Sequence, residues 1–146
     1  MKHRYTTSIG VDFIMVFEKC ILKPYDDGYG FMTIGYGHLI KRGEEFKEIT
    51  KEQAGEILKK DLFRTELSVL KLINIALTDN QFDALISFTF NLGGGALQRS
   101  NLRMKINRAD NKEETAQEFL KWTSSAGRKS NGLLRRRISE MRMFLS

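Results

Sequence analysis

Residues 17–38 read FEKCILKPYDDGYGFMTIGYGH. Four glycines, Gly28, Gly30, Gly35 and Gly37, are interleaved with Tyr29, Phe31, Thr33 and Tyr36. That is strand composition broken at positions free to take positive φ, and it predicts a β-hairpin. A turn centred on Gly30 would set Asp27 opposite Thr33, so that one water could be shared by the carboxylate and the hydroxyl. Upstream, Val11, Ile14 and Glu18 recur at helical spacing, with Phe13 and Phe17 on neighbouring rows, and Ser8 is placed to cap the run. Glu18 then falls at the C-terminal end of a short amphipathic helix beside Phe17. The helix dipole and the apolar neighbours both disfavour a negative charge there, which suits a proton donor. Pro24 forbids continuation of the helix. Two carboxyls in unequal surroundings, one able to donate a proton and one ionised, suit general acid–base work on a polar bond.

Downstream the pattern is helical. Thr50-x-x-Gln53 and Thr78-x-x-Gln81 are capping boxes that open two helices. Ala54, Ile57, Leu58, Leu62 and Val69 give the first an apolar stripe to about Lys71, long enough to bridge two lobes. Residues 79–91 are apolar on most sides and predict a buried central helix. Further helices are expected near 96–107, 112–123 and 132–144, with a Gly/Ser/Lys loop at 124–131. The predicted fold class is α+β, mainly α. It is one domain of 146 residues, with a small α+β lobe at 1–50 carrying a short antiparallel sheet, a connecting helix at 51–71 and a helical lobe at 72–146.

Each chemical residue also has a plain reading. Glu18 alone is a solvated helix-end carboxylate, Asp27 before Gly28 an ordinary Asp-Gly turn, and Thr33 a β-branched strand residue. Asn91 is equally a helix C-cap amide. Cys20 is the single cysteine, which excludes an internal disulfide framework, and reads as a small buried hydrophobe.

Taken together, the blocks resemble the phage-type lysozymes, or endolysins. Glu18, eight residues, Asp27, five residues and Thr33 is similar to that family's catalytic signature, within FE…Y-x-D-x-x-G…T-I-G-Y-G-H. LTDNQFDALISFTFNLGGGAL (77–97) is similar to the central helix of the family, Ser100–Leu102 to the start of the next, and GLLRRRISEMRMF (132–144) to its closing helix. The resemblance implies a lysozyme-like fold and hydrolysis of the β-1,4 bond between N-acetylmuramic acid and N-acetylglucosamine in bacterial peptidoglycan. It implies Glu18 as general acid and Asp27 with Thr33 as the pair that orients the water. Inversion and retention both stay open, because they differ in a carboxyl separation that sequence does not give. The resemblance further places Asn91 and Tyr36 at the saccharide, pairs His38 with Asp61 as structural support, and turns one arginine of the 135–137 triple inward, Arg136 being chosen. It implies no cofactor; with two histidines and one cysteine, metal binding is a poor alternative.

Composition is ordinary for a globular domain, at 41% hydrophobic and 29% charged residues. Charge is not evenly spread. Acidic and basic side chains balance over residues 1–120, so the whole net charge of +6 lies in residues 121–146, where Glu140 is the lone acid. Attraction to an anionic wall and a plain solvated helix face both explain this. Nucleic acid is not expected as a partner, since Trp122 is the only stacking aromatic among those cations before the last helix. Residues 1–8, MKHRYTTS, resemble neither a signal peptide nor a membrane anchor, and the following apolar stretch is broken by Asp12 and Glu18. The expectation is a monomer without stable membrane insertion, held in the host cytoplasm until a separate holin admits it to the wall. The rival reading is a cationic membrane-disrupting or wall-binding protein that acts without hydrolysis.

Overall fold

The computed structural model describes residues 2–146. Helix α1 spans Ser8–Phe17; a three-stranded antiparallel sheet follows from β1 (Ile21–Asp26), β2 (Met32–Gly35) and β3 (His38–Leu39), in that spatial order. Helices α2 (Lys51–Leu72), α3 (Asp79–Leu92), α4 (Gly94–Arg99), α5 (Asn101–Asn107) and α6 (Lys112–Gln117) come next. A 3₁₀ turn (Glu118–Lys121), a two-residue ladder of β4 (Ser124–Ser125) with β5 (Arg128–Lys129), and α7 (Asn131–Leu145) complete the chain. The α+β, mainly α class expected from the sequence is the class observed.

Both capping boxes form. Thr50 and Thr78 each accept from the backbone N–H three residues on, and Gln53 and Gln81 reach back to the cap N–H. Helix α1 starts on Thr7 rather than Ser8: the Thr7 hydroxyl accepts from Gly10 N, leaving Ser8 as the first helical residue. The expected helix at 96–107 is broken at Ser100, whose hydroxyl caps α5 by accepting from Arg103 N. The loop at 124–131 holds β4 and β5, turned by Ala126 and Gly127, both at positive φ.

The β1–β2 register differs from the expected one. Tyr25 pairs with Thr33 and Asp26 with Met32, and Asp27 N donates to Phe31 O, so the turn centres on Tyr29 and Thr33 faces Tyr25. Gly28 and Gly30, at φ 87° and 85°, supply the two positive-φ positions on either side of Tyr29. The ladder shifts again between Ile21 and Tyr25, where Pro24 has no N–H to contribute.

The core runs through α3, which is buried continuously from Phe82 to Thr89. Phe88 meets Phe119 and Trp122 edge-on, and Phe119 packs on Phe144 of α7. The sheet packs on α2 through β2 and β3, whereas α1, grouped by sequence position with the sheet, packs on α3. Gly10 permits that approach, because a Cβ there would lie 2.4 Å from the Asp83 carboxyl carbon. Residues 3–7 bind the same surface. Thr7 caps the Asp83 carboxylate with N–H and hydroxyl, and Thr6 does the same for Glu66, which His3 also meets at 2.9 Å. Burial pushes the Asp83 carboxyl up, against the pull of the two Thr7 donors.

Candidate active site

Helix α1 ends where the backbone of Glu18 turns to φ −94°, ψ 130° while its N–H still bonds Ile14 O. The side chain is thereby directed at the second turn of α7. Its surroundings are not the apolar ones inferred from sequence. Arg136 Nη1 donates to Glu18 Oε1 at 2.7 Å, with the guanidinium 5.5 Å from the Phe17 ring centroid. Oε2 makes no hydrogen bond among the described residues. Arg136 is itself buried and further tied by Nε to Ser87 Oγ and Glu140 Oε2 and by Nη2 to Ser87 O.

A cavity of about 510 Å³ opens beside this carboxyl, walled by Phe17, Glu18, Asn91, Leu133, Arg135 and Arg136. Asn91 lies in the last turn of α3, with Gly93 as the C-cap. Its Oδ1 accepts from Arg137 Nη2 at 2.8 Å, so the residue both faces the cavity and anchors α7. Arg137 is fully buried, and Glu140 stands at no exposure between the two arginines, its Oε1 2.7 Å from Arg137 Nε and its Oε2 accepting from Arg137 Nη2 at 3.1 Å. Burial pushes the Glu140 carboxyl up, opposed by Arg137, the Ser87 hydroxyl and Arg136. Sequence reasoning placed Arg136 inward and missed Arg137, Ser87 and Glu140. The available signal was that the lone acid of a basic segment sits four and three residues after two arginines.

Asp27 occupies the hairpin turn. Its Oδ1 accepts from Tyr29 N at 2.7 Å and Phe31 N at 3.2 Å, which fixes the carboxylate and leaves Oδ2 unengaged. Thr33, on β2, is 3% exposed, and its hydroxyl has no hydrogen-bond partner among the described residues. Neither residue walls the cavity beside Glu18. Tyr36 is also elsewhere: it lines a separate recess with Asp12, Met15 and Gly55, between α1 and α2. Burial and then the Cys20 side chain push its phenol up. His38 is buried, with Nδ1 2.8 Å from Asp61 Oδ2 and Nε2 3.1 Å from Glu44 Oε1. Glu44 was not anticipated. The Lys41 N–H and then His38 hold its carboxyl below the usual range.

The sequence profile of the phage lysozyme family matches residues 15–140, which takes in Glu18, Asp27, Thr33, Asn91 and Arg136. The chain belongs to the phage lysozyme family. It is 39% identical over 139 residues to an endolysin of Bacillus phage B103, covering 94% of this chain and 52% of that protein. It thus spans about half the length of the Bacillus phage endolysins that it matches. Among solved structures it is similar to a point mutant of P22 lysozyme, with TM-score 0.90 and 34% identity, covering 98% and 99% of the two chains. It is also similar to the muramidase domain of SpmX from Asticaccaulis excentricus, with TM-score 0.88, 34% identity and 99% of both chains covered. As a phage lysozyme family member, the chain presents a half-buried glutamate at a cavity wall, with one oxygen held by a buried arginine. No helix among the described residues is long and apolar enough to cross a membrane.

Proposed function

We propose that the protein is a peptidoglycan muramidase, hydrolysing the β-1,4 bond between N-acetylmuramic acid and N-acetylglucosamine during lysis of a bacterial host. The observation that carries this reading is the Glu18 carboxyl at the wall of a 510 Å³ cavity, pinned through Oε1 by Arg136. Fixing one oxygen leaves Oε2 to present the acidic proton to the glycosidic oxygen, so that the leaving sugar departs as an alcohol instead of an alkoxide. Asp27 and Thr33 would act on the water. Two backbone N–H groups on Oδ1 hold the Asp27 carboxylate still, and the Thr33 hydroxyl is spoken for by no protein group. Asn91 would bind the sugar from the α3 side. His38, clamped between Asp61 and Glu44, would hold β3 against α2.

In this reading the protein waits in the host cytoplasm and reaches the wall through a separate holin. The membrane-disrupting alternative needs a free cationic helix. Helix α7 instead keeps Arg136 and Arg137 inside the protein, paired with Glu18 and Glu140, which favours the hydrolytic reading.

Asp27→Asn tests the water-directing role. Its amide keeps an oxygen for the Tyr29 and Phe31 N–H groups, so the hairpin should stand, while the charge is lost. Reducing-end release from purified peptidoglycan should show kcat down by about 10²-fold or more with KM little changed. Unaltered kcat would remove Asp27 from the mechanism.

A further inference from the structure

Helix α3 is apolar on most sides, yet three polar residues recur on it at intervals of four: Asp83, Ser87 and Asn91. That interval sets them in one row along the helix. Asp83 and Ser87 are 1% and 0% exposed, so each needs partners to offset the loss of water. The partners come from different segments. Asp83 takes the N–H and hydroxyl of Thr7, the cap of α1, where Gly10 lets that helix lie close. Ser87 takes Arg136 of α7 twice, Nε on its hydroxyl at 3.3 Å and Nη2 on its backbone carbonyl at 3.2 Å. Asn91 takes Arg137 Nη2 at 2.8 Å. Since α1 ends on Glu18 and α7 supplies the arginine that meets it, both members of that ion pair are referred to one row on α3. Thr89 makes the contrast. It is buried on the same helix but off the row, and its hydroxyl has no hydrogen-bond partner among the described residues.

The bonds at Ser87 have a fixed direction. Arg136 Nε can only donate, so the Ser87 oxygen accepts from it, and the single hydroxyl proton goes to Glu140 Oε2. One edge of the guanidinium, Nε with Nη2, is thereby docked on α3, and Nη1 projects to Glu18 Oε1 at 2.7 Å. From this row, and resting on the muramidase reading above, we propose that Ser87 is a positioning residue of the reaction, holding the Arg136 fork so that the Glu18 carboxyl meets the glycosidic oxygen in one orientation. Ser87 does not wall the cavity; it acts through Arg136. Without its hydroxyl the guanidinium keeps its two carboxylates, but the edge that α3 held is free to turn. An acid whose aim wanders loses rate rather than affinity, because the ground-state complex does not draw on the proton transfer.

The test measures kcat and KM for reducing-end release from purified peptidoglycan, with a thermal melt beside each variant. Ser87→Ala should lower kcat by about tenfold and leave KM within about twofold of wild type. Ser87→Thr keeps the hydroxyl and should restore most of that loss. Thr89→Val removes a buried hydroxyl from the same helix and should leave both constants at their wild-type values. In a Glu18→Gln background, Ser87→Ala should change the residual rate by less than about twofold, because the carboxyl it serves is gone. A wild-type kcat in Ser87→Ala, or an equal loss in both backgrounds, overturns the proposal. Should Ser87→Ala not fold, Ser87→Cys fills the same space with a weakly bonding atom and carries the same expectation. Should wild type release no reducing ends, the muramidase reading fails separately. The positioning is then read by NMR from the side-chain carboxyl carbon of Glu18. A resonance that moves in Ser87→Ala and not in Thr89→Val supports it, and one that holds still in both overturns it.

Discussion

Glu18→Gln is expected to lower glycan cleavage by about 10³-fold or more while the protein stays folded. Glutamine has the shape of the carboxyl it replaces, and its amide oxygen still accepts from Arg136 Nη1, so the geometry around the cavity is kept. What disappears is the transferable proton. A well-placed general acid contributes about 10²–10⁴-fold, and here it acts on a leaving group that departs poorly as an anion. The stability cost is small because the Glu18 side chain is about one-fifth exposed and Arg136 retains Glu140 and Ser87. About 1 kcal/mol, or a fall of roughly 3 °C in melting temperature, is expected. Clearance of outer-membrane-permeabilised Gram-negative cells, run beside a thermal melt, checks both parts. Clearance equal to wild type would show that killing does not pass through this carboxyl and would favour membrane disruption.

The second large effect concerns stability. Glu140→Gln is expected to cost about 3–5 kcal/mol, and so to lower the melting temperature by roughly 10–15 °C. Glu140 is fully buried and, among the described residues, is the only carboxylate at Arg137, which is itself fully buried. It also receives the Ser87 hydroxyl and Arg136 Nε. Glutamine would turn an NH₂ group toward one of these donors, leaving Arg136 with Glu18 as its remaining carboxylate and Arg137 with none among the described residues. The buried charge would then be uncompensated, which is the costly case; an intact buried pair by itself adds little. Since Arg136 also positions Glu18, the variant should lose activity in proportion to the disorder of that side chain. Arg142→Gln, on the exposed face of α7, serves as control and should shift stability by no more than about 0.5 kcal/mol. A melting temperature for Glu140→Gln within 3 °C of wild type would mean that the cluster is not held by this charge.

What the sequence disclosed was governed by range. The starts of α2 and α3 were legible because a capping box is closed by residues three apart, Thr50 with Gln53 and Thr78 with Gln81. The burial of α3 was legible because apolar residues cover most of its circumference. The hairpin was legible in kind and not in register. Gly28 and Gly30 both take positive φ, and the turn centres on Tyr29 between them, where the Asp27 carboxylate gathers the Tyr29 and Phe31 N–H groups. Spacing put Arg136 and Glu140 on one face of α7 but could not say that this face is inside. Tyr36 illustrates the same limit: its place in a motif rich in glycine says nothing of which recess its ring enters. The contacts of His3, Thr6 and Thr7 with Glu66 and Asp83 join residues sixty or more apart, and only the fold brings them together.

The most direct test of the central claim is the chemical identity of the sugar left at the new reducing end. Wild-type protein is incubated with purified peptidoglycan, and the fragments are reduced with borohydride and hydrolysed. If Glu18 protonates the glycosidic oxygen between N-acetylmuramic acid and N-acetylglucosamine, muramicitol accumulates with time and glucosaminitol does not. Accumulation of glucosaminitol, or solubilised wall with no reduced sugar at all, would contradict the account.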